Sequence, residues 1–265
     1  VRPRVGATAD GAVVLDLDVD GPPALVAGTT GSGKSELLRT LVTSFALHHP
    51  PDRVTFLLVD YKGGAAFGPL VDLPHVVGVV TDLGPDLARR ALVSLRAELR
   101  RRERIVARAG ADELGDRAAA LVVVVDEFAT LARDVPDVVD GLLDVAQRGR
   151  SLGIHLVLAT QRPGGVVTDA IRANLTLRLA LRVADEGDSA DVVDTMPAAH
   201  RRADVPGRAV LRSGPGRTES VQVARTGGPA GGPPRATCRD LHAPFPGRTA
   251  TVDGGAPDRH PTGPT

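Results

Sequence analysis

Short apolar runs alternate along this chain with longer amphipathic stretches, a pattern that is typical of α/β proteins. Continuous apolar runs predict strands that are buried on both faces at 54–59, 121–125 and 154–160, and further strands at 24–27 and 76–80. Apolar residues at helical spacing predict helices at 36–47, 86–109 and 136–148. Strands that are separated by helices favour a parallel sheet with the helices packed on it.

Two stretches alternate apolar and polar residues instead. The period of two at 13–19 and at 175–183 predicts strands that are exposed on one face. A helix at 188–194 and strands at 207–211 and 220–224 would complete a domain over residues 1–225. Glycine and proline dominate residues 226–265, which we predict to be a linker or a disordered tail.

Composition excludes several classes of protein. The formal net charge is zero, so no overall field draws the chain to nucleic acid or to an anionic membrane. The single cysteine, Cys238, rules out an internal disulfide framework and suits a reducing cytosol. No apolar run approaches the ~18 residues of a membrane span. We therefore expect a cytoplasmic location, or one at the cytoplasmic membrane face through segments that this chain lacks.

The first motif follows the apolar run at 24–27. It fits Gly-x-x-x-x-Gly-Lys-Ser, a loop whose backbone N–H groups cradle phosphates at the start of a helix, and it comprises Gly28, Thr29, Thr30, Gly31, Ser32, Gly33, Lys34 and Ser35, with Glu36 next in the chain. Lys34 would reach the β- and γ-phosphates, and the Ser35 hydroxyl would bind Mg²⁺. The motif predicts an ATP or related nucleotide site.

A pair of acids follows the run at 121–125. Asp126 would hold Mg²⁺ and Glu127 would accept a proton from the attacking water as general base. Gln161 ends the strand at 154–160 and is placed to sense the γ-phosphate; the alternative is a simple loop hydrogen bond. Together with the glycine loop, these residues predict hydrolysis of the nucleotide.

These motifs, in this order, resemble the FtsK/SpoIIIE family of translocating ATPases over about residues 10 to 225. Further matches are Asp-Tyr-Lys-Gly-Gly-Ala-Ala-Phe at 60–67, Gly-Arg-Ser-Leu-Gly-Ile-His at 149–155 and Ala-Thr-Gln-Arg-Pro at 159–163. The segment at 60–67 is similar to the EccC-type ATPases of type VII secretion and to actinobacterial relatives with forkhead-associated domains. DNA pumps of the family tend to have Asp-Pro-Lys there.

The resemblance implies a RecA-like P-loop core with an additional strand, assembled into hexameric rings. It also implies that the nucleotide lies between subunits and that a neighbour supplies an arginine. Arg90 is the first choice for this residue and Arg150 the second; the alternative for each is an ordinary surface arginine. The connection between the long helix and the strand at 121–125 is shorter than in many relatives.

The function that follows is an ATP-driven motor that moves a polymer through a ring. EccC-like motifs favour a protein polymer, whereas the wider family includes translocases of double-stranded DNA. A regulatory ATP-binding module with slow hydrolysis is a third reading. The segment 164–168 is the predicted pore loop.

Overall fold

The computed structural model describes residues 3–16, 23–61, 66–81, 84–214 and 216–226. Ten strands form one sheet: β1 (Arg4–Thr8), β2 (Gly11–Val14), β3 (Ala24–Ala27), β4 (Val54–Asp60), β5 (Val76–Thr81), β6 (Ala120–Val125), β7 (Ile154–Thr160), β8 (Leu177–Ala180), β9 (Arg208–Ser213) and β10 (Thr218–Val223). The α-helices are α1 (Lys34–His48), α2 (Pro85–Ala109), α3 (Phe128–Asp134), α4 (Pro136–Gly149), α5 (Asp169–Asn174) and α6 (Glu186–Val193).

The strand order is β2-β1-β10-β9-β8-β3-β7-β6-β4-β5. The six strands from β8 to β5 are parallel, and β9, β10, β1 and β2 extend the sheet by antiparallel pairing. Strand β7 lies between β3, which precedes the glycine loop, and β6, which precedes the acid pair. This is the additional strand that the family resemblance implies, and the predicted mostly parallel α/β class is confirmed.

Helices cover both faces of the parallel strands. Leu57 of β4 packs against the core cluster that contains α2 and α4, whereas its neighbour Phe56 contacts Phe45 of α1, with ring centroids 6.1 Å apart. Successive side chains of a strand point to opposite faces. Helix α1 therefore lies on one face of the sheet, and α2 and α4 lie on the other.

The predicted half-exposed strand at 175–183 is wrong in its exposure. Strand β8 is buried at all four positions, because β3 and β9 flank it and α6 packs on it. Arg178 tolerates this burial through an ion pair with Asp194, in which Nη2 lies 2.9 Å from Oδ2. The alternation placed an arginine at a position that is in fact interior, where it is paired with Asp194, whose own side chain is 40% exposed.

Other differences from the sequence prediction are local. The strand expected at 13–19 is the shorter β2, and residues 17–19 of that interval lie outside the described residues, as does nearly all of the predicted tail at 226–265. Strand β1 and the short helices α3 and α5 were not predicted, since none is long enough to show a clear period. Within the described ranges, no helix is both long and apolar enough to cross a bilayer.

A buried histidine, His75, directly precedes β5. His75 is 1% exposed, and its Nε2 donates to the carbonyl of His49 at 2.8 Å, while no described residue bonds to Nδ1. Burial lowers the pKa of His75 below its ordinary value of 6.5. Burial, and then nearby positive charge, also lowers the pKa of His49. Both imidazoles are therefore neutral in the fold at neutral pH.

We expect acid to destabilise the fold through these histidines. Because the pKa is lowered in the folded state, the unfolded chain binds more protons in mild acid. The stability contributed by the neutral histidines is therefore fully present above about pH 6.5 and is lost as the pH falls through the lowered pKa. His75→Gln keeps an N–H for the His49 carbonyl and does not titrate. Its melting temperature should therefore fall less than that of the wild type between about pH 7.5 and about pH 5.5. His200→Gln, at an exposed histidine, is the control, and equal decreases in all three proteins would contradict the assignment.

Candidate functional site

The glycine loop joins the buried strand β3 to α1 at the carboxyl end of the parallel strands. Gly31 and Gly33 have positive φ angles of 77° and 101°, which other residues rarely adopt. A Cβ atom on Gly33 would also lie 2.8 Å from the backbone nitrogen of Gly207. The sequence therefore places glycine where both the turn and the close approach of a second segment require it.

Lys34 begins α1 and forms an ion pair with Asp126, the first residue of the acid pair. Its Nζ donates to Asp126 Oδ1 at 2.5 Å and to the Asp126 carbonyl at 2.6 Å, and both residues are buried. Parallel pairing of β3, β7 and β6 aligns the ends of these strands, so the loop after β3 meets the residues after β6. The structure thus brings Lys34 and Asp126 together at one edge of the sheet.

Glu127 and Gln161 lie beside this pair. Glu127 Oε1 accepts from the Thr160 hydroxyl at 3.1 Å and from the Gln161 backbone N–H at 3.4 Å. Gln161 Oε1 in turn accepts from the Thr30 hydroxyl at 3.2 Å, which links it to the glycine loop. The sequence did not identify Thr160; its position at the end of the strand next to the acid pair was the available signal.

A cavity of about 590 Å³ lies over the glycine loop, a size that suits a nucleotide. Its walls come from the loop with Lys34, Ser35 and Glu36, from Gln161, and from two segments that the sequence analysis missed, Pro206–Gly207 and Gln222–Arg225. Gly207 connects the glycine loop to β10 through its backbone. Its N–H donates to the Ser32 carbonyl and its carbonyl accepts from the Val223 N–H, each at 2.8 Å.

A second cavity, of about 770 Å³, adjoins the same edge of the sheet. Glu127, Gln161 and Arg162 line one side, and the predicted pore-loop residues Gly164–Val166 and Thr168 line it as well. The opposite wall includes apolar side chains of α4 and α5, namely Val139, Leu143 and Ile171. The two cavities share Gln161, so this residue lies between them.

The donor set fits Mg²⁺. Ser35 lines the nucleotide cavity and Asp126 presents a buried carboxylate beside Lys34. Across the described part of the chain, no cluster of three or more His, Cys, Asp or Glu side chains could hold a metal ion. Magnesium in nucleotide sites is commonly held by one or two protein oxygens together with the phosphates, rather than by a cage of acids.

The two predicted arginines lie away from this cavity. Arg90 lines a separate cavity between α2 and the edge strand β5, with Leu57 and Val80. Arg150 lies near the amino ends of the parallel strands, in a cavity with Gly153 and His155. Neither residue lines its own subunit's nucleotide cavity. The structure therefore brings together Lys34, Asp126, Glu127 and Gln161, and leaves both arginines outside.

The Asp60 motif has a local structural contact. Asp60 is 1% exposed at the end of β4, and its Oδ2 accepts from the Ala66 N–H at 2.9 Å. Tyr61 donates its hydroxyl to Asp134 Oδ2 at 2.5 Å, which fastens this segment to the end of α3. Lys62, the next charged residue of this motif, lies outside the described residues.

Comparison with known proteins agrees with this geometry. The model of the FtsK/SpoIIIE family matches residues 4–119 and 114–165. The chain is 44% identical over 206 residues to the type VII secretion system protein EssC of Staphylococcus aureus. That match covers 73% of this chain and 14% of EssC, so the chain spans about one seventh of the length of this relative.

Solved structures show the same fold. The cytoplasmic domain of the Thermomonospora curvata type VII secretion ATPase EccC superposes with a TM-score of 0.81 and 32% identity, over 91% of this chain and 30% of that one. ATPases 2 and 3 of the same EccC, in complex with a signal sequence peptide, give a TM-score of 0.73 and 32% identity. This second match covers 84% of this chain and 42% of that chain.

Proposed function

Because the chain belongs to the FtsK/SpoIIIE family, we propose that it binds ATP with Mg²⁺, hydrolyses it, and uses the reaction to move a polymer through a ring of subunits. The observation that supports hydrolysis most directly is the meeting of Lys34, Asp126, Glu127 and Gln161 at one edge of the sheet. A site for binding alone would need the lysine and the glycine loop. It would not need a second buried carboxylate next to the first.

Each residue has a distinct part in this proposal. Lys34 binds the β- and γ-phosphates as a compact positive charge, and Ser35 and Asp126 hold Mg²⁺. Bound there, Mg²⁺ would supply neutralisation of the charge that develops on the phosphate oxygens. Glu127 orients the attacking water and accepts its proton. Gln161 accepts a hydrogen bond from Thr30 of the glycine loop. From this position it senses the γ-phosphate and links the glycine loop to Glu127.

Glu127→Gln tests the hydrolytic step. The amide has the shape of the carboxylate and its oxygen still accepts from Thr160, but it cannot take a proton at neutral pH. We expect turnover to fall about 10²- to 10⁴-fold while the Kd of Mg²⁺-ATP stays near the wild-type value. Fluorescence titration and phosphate release measure the two quantities. Glu103→Gln, at an exposed ion pair, is the control. Loss of ATP binding in Glu127→Gln would assign Glu127 a structural role.

We propose protein rather than DNA as the polymer. The relatives described above belong to type VII secretion, and one of them has been solved in complex with a signal sequence peptide. The zero net charge offers no general attraction for phosphate backbones. ATPase assays with an added signal sequence peptide or with double-stranded DNA separate the two readings. Stimulation by DNA that weakens steeply with salt would favour a DNA translocase instead.

We further propose a homo-oligomer, expected to be a hexamer, in which Arg90 acts in the site of the neighbouring subunit. Two observations support Arg90. It lies on an exposed part of α2 beside the sheet edge, and among the described residues its guanidinium forms no ion pair. Its neighbour Arg89, by contrast, is paired with Asp137, with Nε 3.2 Å from Oδ2. Arg150 stays the second choice.

A further inference from the structure

Thr160 is the last residue of β7 and is fully buried between two functional segments. Its hydroxyl oxygen lies 3.1 Å from Glu127 Oε1 and 3.2 Å from the Arg162 carbonyl, and it accepts from the Arg162 N–H at 3.1 Å. Glu127 and Arg162 both line the 770 Å³ cavity. One small side chain thus joins the acid after β6 to the loop after β7.

The hydroxyl has one proton and two acceptors within reach. It can donate either to the Glu127 carboxylate or to the Arg162 carbonyl, and only one of these bonds is made at a time. A hydrogen bond to a carboxylate is shorter and stronger than one to a neutral carbonyl. The proton therefore favours Glu127, while the Arg162 N–H occupies a lone pair and fixes the direction of the hydroxyl.

This bond matters because it reaches the buried Glu127 carboxylate directly, from the end of a neighbouring strand. Glu127 precedes α3 as its N-terminal flanking residue, outside regular helix, and its carboxylate rotates about several side-chain bonds. The Thr160 hydroxyl and the Gln161 N–H both donate to the same carboxylate oxygen, Oε1. Fixing one carboxylate oxygen fixes the direction in which the other can accept a proton.

We propose that Thr160 is a positioning residue for ATP hydrolysis, holding the Glu127 carboxylate in its working orientation through its hydroxyl proton. The proposal rests on the function of Glu127 as the base. A positioned base should lose efficiency when one of its orienting hydrogen bonds is removed, since displacements of about 1 Å in a site cost up to about 100-fold in rate. Binding of ATP depends on other residues and should not change.

Three variants test the proposal. Thr160→Val has the same shape and lacks the hydroxyl, and Thr160→Ala is available if valine impairs folding. Thr160→Ser retains the hydroxyl. We expect Thr160→Val to lower kcat about 10- to 100-fold with the Kd of Mg²⁺-ATP unchanged, and Thr160→Ser to stay within about 3-fold of the wild type.

A double variant separates positioning from a general structural role. In the Glu127→Gln background there is no base to orient, so adding Thr160→Val should leave the residual rate unchanged. A structural defect would lower the rate in both backgrounds and weaken nucleotide binding. Either that result, or a wild-type kcat for Thr160→Val, would overturn the proposal. Wild-type turnover of Glu127→Gln itself would instead remove the proposed function of Glu127.

Discussion

Lys34→Ala should eliminate ATP binding and also destabilise the fold. Loss of binding follows from the removal of a buried side-chain cation that lines the nucleotide cavity at the start of α1. Loss of stability follows from the pair with Asp126, whose two side chains are only 3% and 7% exposed. Removing one member of a buried pair leaves a buried charge without compensation, at a cost on the order of 3 kcal/mol.

A second substitution separates these two effects. Lys34→Ala combined with Asp126→Asn removes the buried charge, so most of the melting temperature should return while ATP binding stays absent. Arg53→Ala, which breaks an exposed pair with Asp116, should change the melting temperature very little. Unchanged ATP affinity in Lys34→Ala would refute the assignment of the phosphate loop. An unchanged melting temperature would show that the pair adds no stability.

Mixing two inactive variants should restore ATPase activity if Arg90 acts across a subunit interface. Arg90→Ala subunits keep an intact phosphate loop, and Lys34→Ala/Asp126→Asn subunits keep an intact arginine. In an equal mixture, about a quarter of the interfaces in a ring combine the two intact parts. A trans arginine contributes about 10³- to 10⁵-fold to phosphoryl transfer, so even this fraction gives a large recovery over either variant alone.

The controls for this experiment lie in the same chain. Arg89→Ala, one residue earlier on α2, should retain activity, because Arg89 already forms an ion pair with Asp137 in its own subunit. Recovery with Arg150→Ala in place of Arg90→Ala would assign the role to Arg150. For the wild type, specific activity should rise steeply with protein concentration. Activity that is independent of concentration, together with no recovery in either mixture, would favour the regulatory module.

The sequence allowed prediction of the features that are local or strictly periodic. The strands β3, β4, β6 and β7 appear as apolar runs, and the glycine loop and the acid pair are motifs with fixed spacing. Because parallel strands end at a common edge, the motifs were enough to assign the glycine loop and the acid pair to one site. These features predict the fold class and the chemistry that we propose for the site.

Features that depend on contacts between distant segments were not predictable. The bond from Thr160 to Glu127 needs the register of β7 against β6, and the wall at Pro206–Gly207 needs the antiparallel half of the sheet. The burial of β8 depends on a partner for Arg178 that lies on another element. The stability cost of losing Lys34 was also hidden, since a motif gives the role of a lysine and says nothing about its burial.

The contact between Ser32 and Gly207 has a consequence for biosynthesis. The phosphate loop emerges early from the ribosome, but the amide that holds the Ser32 carbonyl comes from near the far end of the domain, and β10 must then fix Gly207. Contacts between segments so far apart in sequence form slowly. A nascent chain that ends before β9 would therefore expose an unfinished loop, and competence to bind ATP should arise only after β10 has been synthesised.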